Sequence, residues 1–154
     1  MTNSKRFLPV ETNAALISIH PQYVEKILSG EKRLEFRRGW TRTPVDFLVI
    51  YATNPIQQIV AIAELGEVIQ GTKTKLWELA RDKGGGISRR KLFAYMEGKK
   101  QGVALELIRT LRIVEGINPS TLLGDDFHPP QSFRYLSKEE FGLLKQRLGD
   151  AVWV

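Results

Sequence analysis

The chain of 154 residues contains no cysteine. A disulfide, a thiolate zinc site and a cysteine nucleophile are therefore excluded. With only two histidines, a histidine-rich metal site is excluded as well. Long apolar runs are missing: none approaches the ~20 residues needed to cross a bilayer. The first residues, Met1 to Asn13, carry no apolar signal core. There are no internal repeats, no low-complexity segments and no interdomain linker. These absences predict a soluble cytoplasmic protein that binds no membrane, metal or cofactor, with a disordered tail over residues 1–13.

What is present fits one domain with a real core, over residues 14–149. Hydrophobic residues make up 42% of the chain, so the composition is not that of a disordered protein. Against 17 acidic residues stand 23 Lys and Arg, a net charge of +6. The isoelectric point near 9.7 favours an anionic partner such as a nucleic acid or a nucleotide.

The stretch from His20 to Arg38 is the most informative. Pro21 suits a first helical position, where its missing N–H costs nothing. Tyr23, Val24, Ile27 and Leu28 fall on one helical face, and Gly30 supplies the left-handed residue that ends such a helix. The period then changes from helix to strand. Leu34 and Phe36 point one way; Arg33, Glu35 and Arg37 point the other. Lys32 sits on the turn between. On charge pattern alone, this is an ordinary helix–turn–strand with a solvated, ion-paired face. Its residues say more. Ser18-Ile19-His20-Pro21, a helix, and then Gly30-Glu31-Lys32-Arg33-Leu34-Glu35-Phe36-Arg37 resemble the signature of the ASCH domain, a branch of the PUA-like superfamily. That signature is a strand ending in S-[IL]-K-P, a helix, and G-x-K-x-x-E-x-R. His20 stands where the family usually has Lys.

Elsewhere, strands are expected at Ala14–Ile19, at 45–52, at 57–69 with a bulge at Gly66, and at 102–114. Within 57–69, Ile59, Ala61 and Ala63 should share one face. Helices are expected over Thr72–Asp82, over Arg89–Glu97 behind the N-cap Ser88, and over Ser137–Leu148 behind a Ser137/Glu140 capping box. Gly84-Gly85-Gly86 lacks the preceding strand and the G-K-[ST] of a phosphate loop and reads as a flexible hinge. Trp40, in a basic turn, is open to two uses: stacking on a base, or folding back as a lid on the core. Arg89, Arg90 and Lys91 belong to a positive cluster that is either solvated surface or a phosphate-tracking patch. The segment His128 to Tyr135 reads as a loop stiffened by Pro129-Pro130. It carries recognition chemistry in Gln131, Ser132, Arg134 and Tyr135. Arg134 has a duller alternative, pairing with a carboxylate to pin the loop.

Two further blocks resemble the same family. Tyr51 to Ala61 resembles its strand, T-x-P turn and strand. Pro129 to Tyr135 resembles a C-terminal block of archaeal and bacterial ASCH proteins described as transcriptional regulators. The resemblance implies an α+β, PUA-like fold: a small mixed β-barrel with helices packed across its openings. It also implies a cleft where relatives bind RNA, DNA or a modified base. Lys32, Glu35 and Arg37 are expected at that cleft with His20, Trp40 and the Gln131–Tyr135 loop.

Two function classes then compete. The first is a binding module, regulatory in character, for RNA or another nucleic acid, or for a modified nucleoside. Lys32 and Arg37 would meet anionic oxygens, and Glu35 would accept from an exocyclic amine or orient Lys32. The second is a hydrolase with Lys32 and Glu35 as catalytic groups. Some family members are ribonucleases, and that chemistry could draw on Lys32, Glu35, His20 or Tyr135. Others hydrolyse N4-acetylcytidine through G-x-K-x-x-T-x-R, with Lys as base and Thr as nucleophile. Glu35 occupies that Thr position; as a weak nucleophile beside Lys32 it should also hold the amine protonated. A protein-interaction domain with incidental charges is the third possibility.

Overall fold

Phe47–Ala52 is strand β3, and its six consecutive apolar residues are buried throughout. A strand apolar on both faces must be covered on both faces. Leu48, Ile50 and Ala52 enter one core cluster with Ala15, Ile17 and Ala61. Phe47, Val49 and Tyr51 enter a second, with Leu16, Ile62 and Phe141. The computed structural model describes residues 13–148, so residues 1–12 of the expected 1–13 tail lie outside the described residues. Asn13 itself is tied to the sheet, its backbone N–H donating to Asp46 at 2.9 Å.

β3 lies inside a six-stranded sheet. The others are β1 (Ala14–Ile19), β2 (Leu34–Arg37), β4 (Gln58–Gly71), β5 (Gly102–Ile117) and β6 (Phe133–Leu136), in the order β2-β5-β4-β3-β1-β6. All five expected strands share this sheet. β1 and β3 run parallel, and every other pairing is antiparallel. Helices α1 (Pro21–Ser29), α2 (Lys73–Lys83), α3 (Arg89–Tyr95), α4 (Ser120–Leu123) and α5 (Lys138–Leu148) complete the mixed α+β fold.

The local signals read from sequence operate as chemistry. Thr72 and Ser88 cap α2 and α3 through their side chains. Ser137 and Glu140 form the reciprocal capping box of α5. Gly30 ends α1 at a φ of 87°. Near Gly66 the β4–β5 register shifts. Another shift lies between Ile59 and Ala61, and here an expectation is corrected. Ile59 leaves the face of Ala61 and Ala63 and joins the cluster of Ile62, because an irregular residue inverts the alternation.

Two larger expectations are also corrected. Residues 133–136 are not loop but strand β6, antiparallel to β1 with Ile17 opposite Phe133. And the sheet does not close into a barrel: β2 and β6 are its two edges, with no ladder between them. Each edge is four residues long, and side chains fill the seam. The Trp40 and Phe133 rings meet there at 4.9 Å between centroids, which keeps the backbones from the ~4.8 Å spacing of a ladder.

Candidate functional site

The end of α1 sets the position of Lys32. After Gly30, the Lys32 backbone N–H donates to Lys26 and that of Arg33 to Gly84. Both residues are thus locked between α1 and the glycine run. Lys32 is 4% exposed. Its Nζ donates to the Gly85 carbonyl at 2.8 Å and lies 3.8 Å from Glu35 Oε1. The rings of Tyr23 and Phe36 flank it, with centroids at 5.3 Å and 5.0 Å.

Gly84-Gly85-Gly86 is accordingly no free hinge. Its three carbonyls accept in turn from the Arg33 backbone N–H, Lys32 Nζ and Lys26 Nζ. Gly86 holds a φ of 63°, and a Cβ there would stand 2.6 Å from Lys32 Cβ. Gly86 passes directly over the lysine, and a Cβ on Gly85 would collide with Ala80 of α2.

Burial lowers the Lys32 pKa from the ordinary lysine value. Glu35 pulls the other way and Lys26 adds to the lowering, but desolvation is the largest cause. Glu35 therefore favours the protonated amine, as expected, while burial opposes it, and the net direction is downward.

β2 places the next two groups. Leu34 and Phe36 pack on Leu76, Ala80, Leu92 and Met96 of the α2–α3 region. Glu35 and Arg37 take the other strand face, as alternation requires. That face is not solvated: Glu35 is 7% and Arg37 8% exposed. Arg37 Nη1 donates to Glu35 Oε2 at 3.1 Å, and Nη2 donates to the Ser132 carbonyl at 2.8 Å. The Glu35 carboxylate lies between two cations.

These groups open on a cavity of about 360 Å³ between the sheet and helices α1 and α3. Ser18 and His20 come to it from the end of β1, and Tyr23 from α1. Lys91 and Tyr95 come from α3, and Gln131 from the segment before β6. His20 Nδ1 lies 3.3 Å from the Thr53 hydroxyl. Burial, the largest cause, raises the Tyr95 pKa, while Arg37 lowers it and Glu35 raises it.

The cavity therefore gathers His20, Lys32, Glu35, Arg37, Lys91 and Gln131 from the sequence-derived set. The other members lie elsewhere. Trp40 packs on Phe133 and the core, the lid arrangement. Ser132 contributes its carbonyl to Arg37. Arg134 makes a two-pronged bond to Glu140 at 2.8 Å and 3.2 Å, the pinning arrangement. Tyr135 bonds the Thr41 hydroxyl. Arg89 lies over the Phe93 ring at 4.1 Å. Arg90 and Lys91 are exposed.

Sequence reasoning missed Ser18, Tyr23 and Tyr95 as cavity residues. Tyr95 could have been found: it is four residues after Lys91 and shares its helix face. Among the described residues, no three His, Cys, Asp or Glu side chains come together as a metal cluster. No described helix is long and apolar enough to cross a membrane.

The ASCH domain model matches residues 17–110, the region that builds Lys32, Glu35 and Arg37. An ASCH domain-containing ribonuclease of Zymomonas mobilis subsp. mobilis is 34% identical over 132 residues, 82% of this chain and 86% of that protein. The crystal structure of ASCH from Zymomonas mobilis matches with a TM-score of 0.79 at 30% identity, over 86% of this chain and 94% of that one. A serine-to-alanine variant of that protein matches at 0.78 and 29% identity, over 91% and 99%. The chain belongs to the ASCH domain family.

Proposed function

We propose that this chain is an RNA-cleaving enzyme whose chemistry takes place in the cavity between α1, β2 and α3. One observation carries the reading: a buried lysine amine, lowered in pKa, faces a cavity large enough for a nucleotide. The family member named as a ribonuclease supports it. In this reading Lys32 takes the proton of a ribose 2′-hydroxyl. The 2′ oxygen forms a bond to phosphorus as the bond to the 5′ oxygen breaks. His20 gives a proton to that departing oxygen. The products are a 2′,3′-cyclic phosphate and a 5′-hydroxyl. Arg89, Arg90 and Lys91 hold the strand by its phosphates. Residues 14–149 act as one domain, because Ser18 near one end and Gln131 near the other face the same cavity.

A second reading keeps the cavity as a regulatory binding module for RNA or a modified nucleoside, without chemistry. Its support is that Glu35 is already engaged by two cations, which leaves no free carboxylate for catalysis. The same arrangement speaks against N4-acetylcytidine hydrolysis with Glu35 as nucleophile.

The test is cleavage of short single-stranded RNA by the wild type and by Lys32→Met. Loss of one general base should cost about 10²–10⁴-fold in rate, with RNA still bound. Undiminished cleavage by Lys32→Met would sink the proposed mechanism. Binding without cleavage by the wild type would select the second reading.

A further inference from the structure

We infer that Gln131 selects the base of the nucleotide held in this cavity, and that the base it favours is adenine. The inference rests on the reading that RNA enters the cavity and adds which residue sets its specificity.

The observation is a rigid backbone around a free amide. Pro129 and Pro130 restrict the chain before Gln131. On one side the Ser18 hydroxyl donates to the Pro130 carbonyl at 2.9 Å. On the other, Arg37 Nη2 donates to the Ser132 carbonyl at 2.8 Å. Gln131 lies between the two clamped carbonyls and lines the cavity. Its own amide has no partner within the described protein. Ordering a long polar side chain costs entropy, and a backbone fixed on both sides removes part of that cost before a ligand arrives.

The chemistry of the amide points to the base. Gln offers one donor group and one acceptor. Its best complement is a base edge with an acceptor beside a donor. Adenine shows that pair on two edges, as N1 with the exocyclic amine and as N7 with the same amine. Cytosine and uracil show it on the Watson–Crick edge alone, and guanine there and, as N3 with its amine, on the sugar edge, which the ribose partly covers. Two-point pairing of Gln with adenine is also the favoured match where proteins read base edges directly.

The same logic dictates the test. Gln131→Glu replaces the donor by a second acceptor. A carboxylate repels the ring nitrogen of adenine and suits guanine, whose N1–H and N2–H donate side by side. Affinity and cleavage would be measured on short single-stranded RNAs that differ at one base, with wild type, Gln131→Glu and Gln131→Ala. Thermal unfolding checks that each variant folds; the exposed position of Gln131 leads us to expect no shift. The wild type should favour adenine by about tenfold, the scale of one good two-point contact. Gln131→Glu should move the preference to guanine, and Gln131→Ala should level it. A wild type indifferent to the base, or variants that keep the wild-type order, would overturn the inference and leave the proposed function standing. A wild type that neither binds nor cleaves any of these RNAs would overturn both.

Discussion

The guanidinium of Arg37, on one edge of the sheet, donates to the carbonyl of Ser132, one residue before the opposite edge strand begins. A single side chain thus spans the seam that a closed barrel would bridge with a backbone ladder. The same side chain holds Glu35 beside Lys32. Closure of the fold and construction of the cavity are one structural act.

Substitution of Arg37 should therefore cost stability and site geometry together. Arg37→Met leaves Glu35 buried with Lys32 as its remaining cation. Removing one member of a buried pair costs about 3–5 kcal/mol, and the remaining Lys32 places the expected loss at the lower end. Arg37→Lys retains the charge, but one ammonium cannot reproduce the fork that meets Glu35 and Ser132 at once. It should lose stability as well. Urea unfolding measures both, and a loss below about 1 kcal/mol for Arg37→Met would show that the seam does not depend on Arg37.

Lys32 should leave a signature in the pH dependence of stability. Its folded pKa lies below the ordinary value of 10.5. Between the two values the unfolded chain binds the extra proton, so stability rises with pH in that window. Below the folded value the protein carries the full cost of a buried charge. Lys32→Met should remove the rise at alkaline pH. A wild type whose stability is flat or falls through this window, after subtraction of the Lys32→Met curve, would contradict the lowered pKa.

Much of this arrangement was legible in the sequence, and what was not has specific causes. β1 and α1 could be placed because Pro21 and Gly30 punctuate them. The faces of β2 followed from alternation, but alternation does not say what covers a face. Burial of Glu35 and Arg37 depends on α3 and on the segment before β6, which lies 95 residues from Arg37 at the Ser132 contact. The glycine run looked like a hinge because Lys32 reaches it across 53 residues of chain. β6 was hidden for a related reason: four residues behind two prolines carry almost no period of their own, and their strand character comes from pairing with β1. The family motif singled out Lys32, Glu35 and Arg37, which line one cavity, without disclosing that they are buried.

The Arg134–Glu140 pair should act on stability near the acid limit and not on the ligand. The hydrogen bond from Arg134 is the largest cause lowering the Glu140 pKa. The stability it contributes is present above the ordinary carboxylate value of 4.5 and is lost as pH falls through the lowered folded value. Both side chains are partly solvated, so Arg134→Ala should cost no more than about 1 kcal/mol. Its RNA affinity should match the wild type. Weakened binding at unchanged stability would mean that Arg134 also meets the ligand.

The basic face of α3 gives the last prediction, which separates phosphate contact from mere surface charge. Lys91 reaches the cavity wall, and in the proposed reading a strand with one nucleotide in the cavity passes along α3. Arg89 is steadied there by its contact with Phe93, which also has Lys73 at 5.1 Å. Each phosphate neutralised on a single strand adds about 0.7 to the slope of log affinity against log salt. Changing Arg89, Arg90 and Lys91 together to Gln should therefore flatten that slope by roughly 2 if each meets one phosphate. The three are solvent-facing or at the cavity rim, so thermal unfolding should scarcely move. Affinity measured from low to physiological salt supplies the slope. An unchanged slope would place the strand elsewhere and leave these charges as solvated surface.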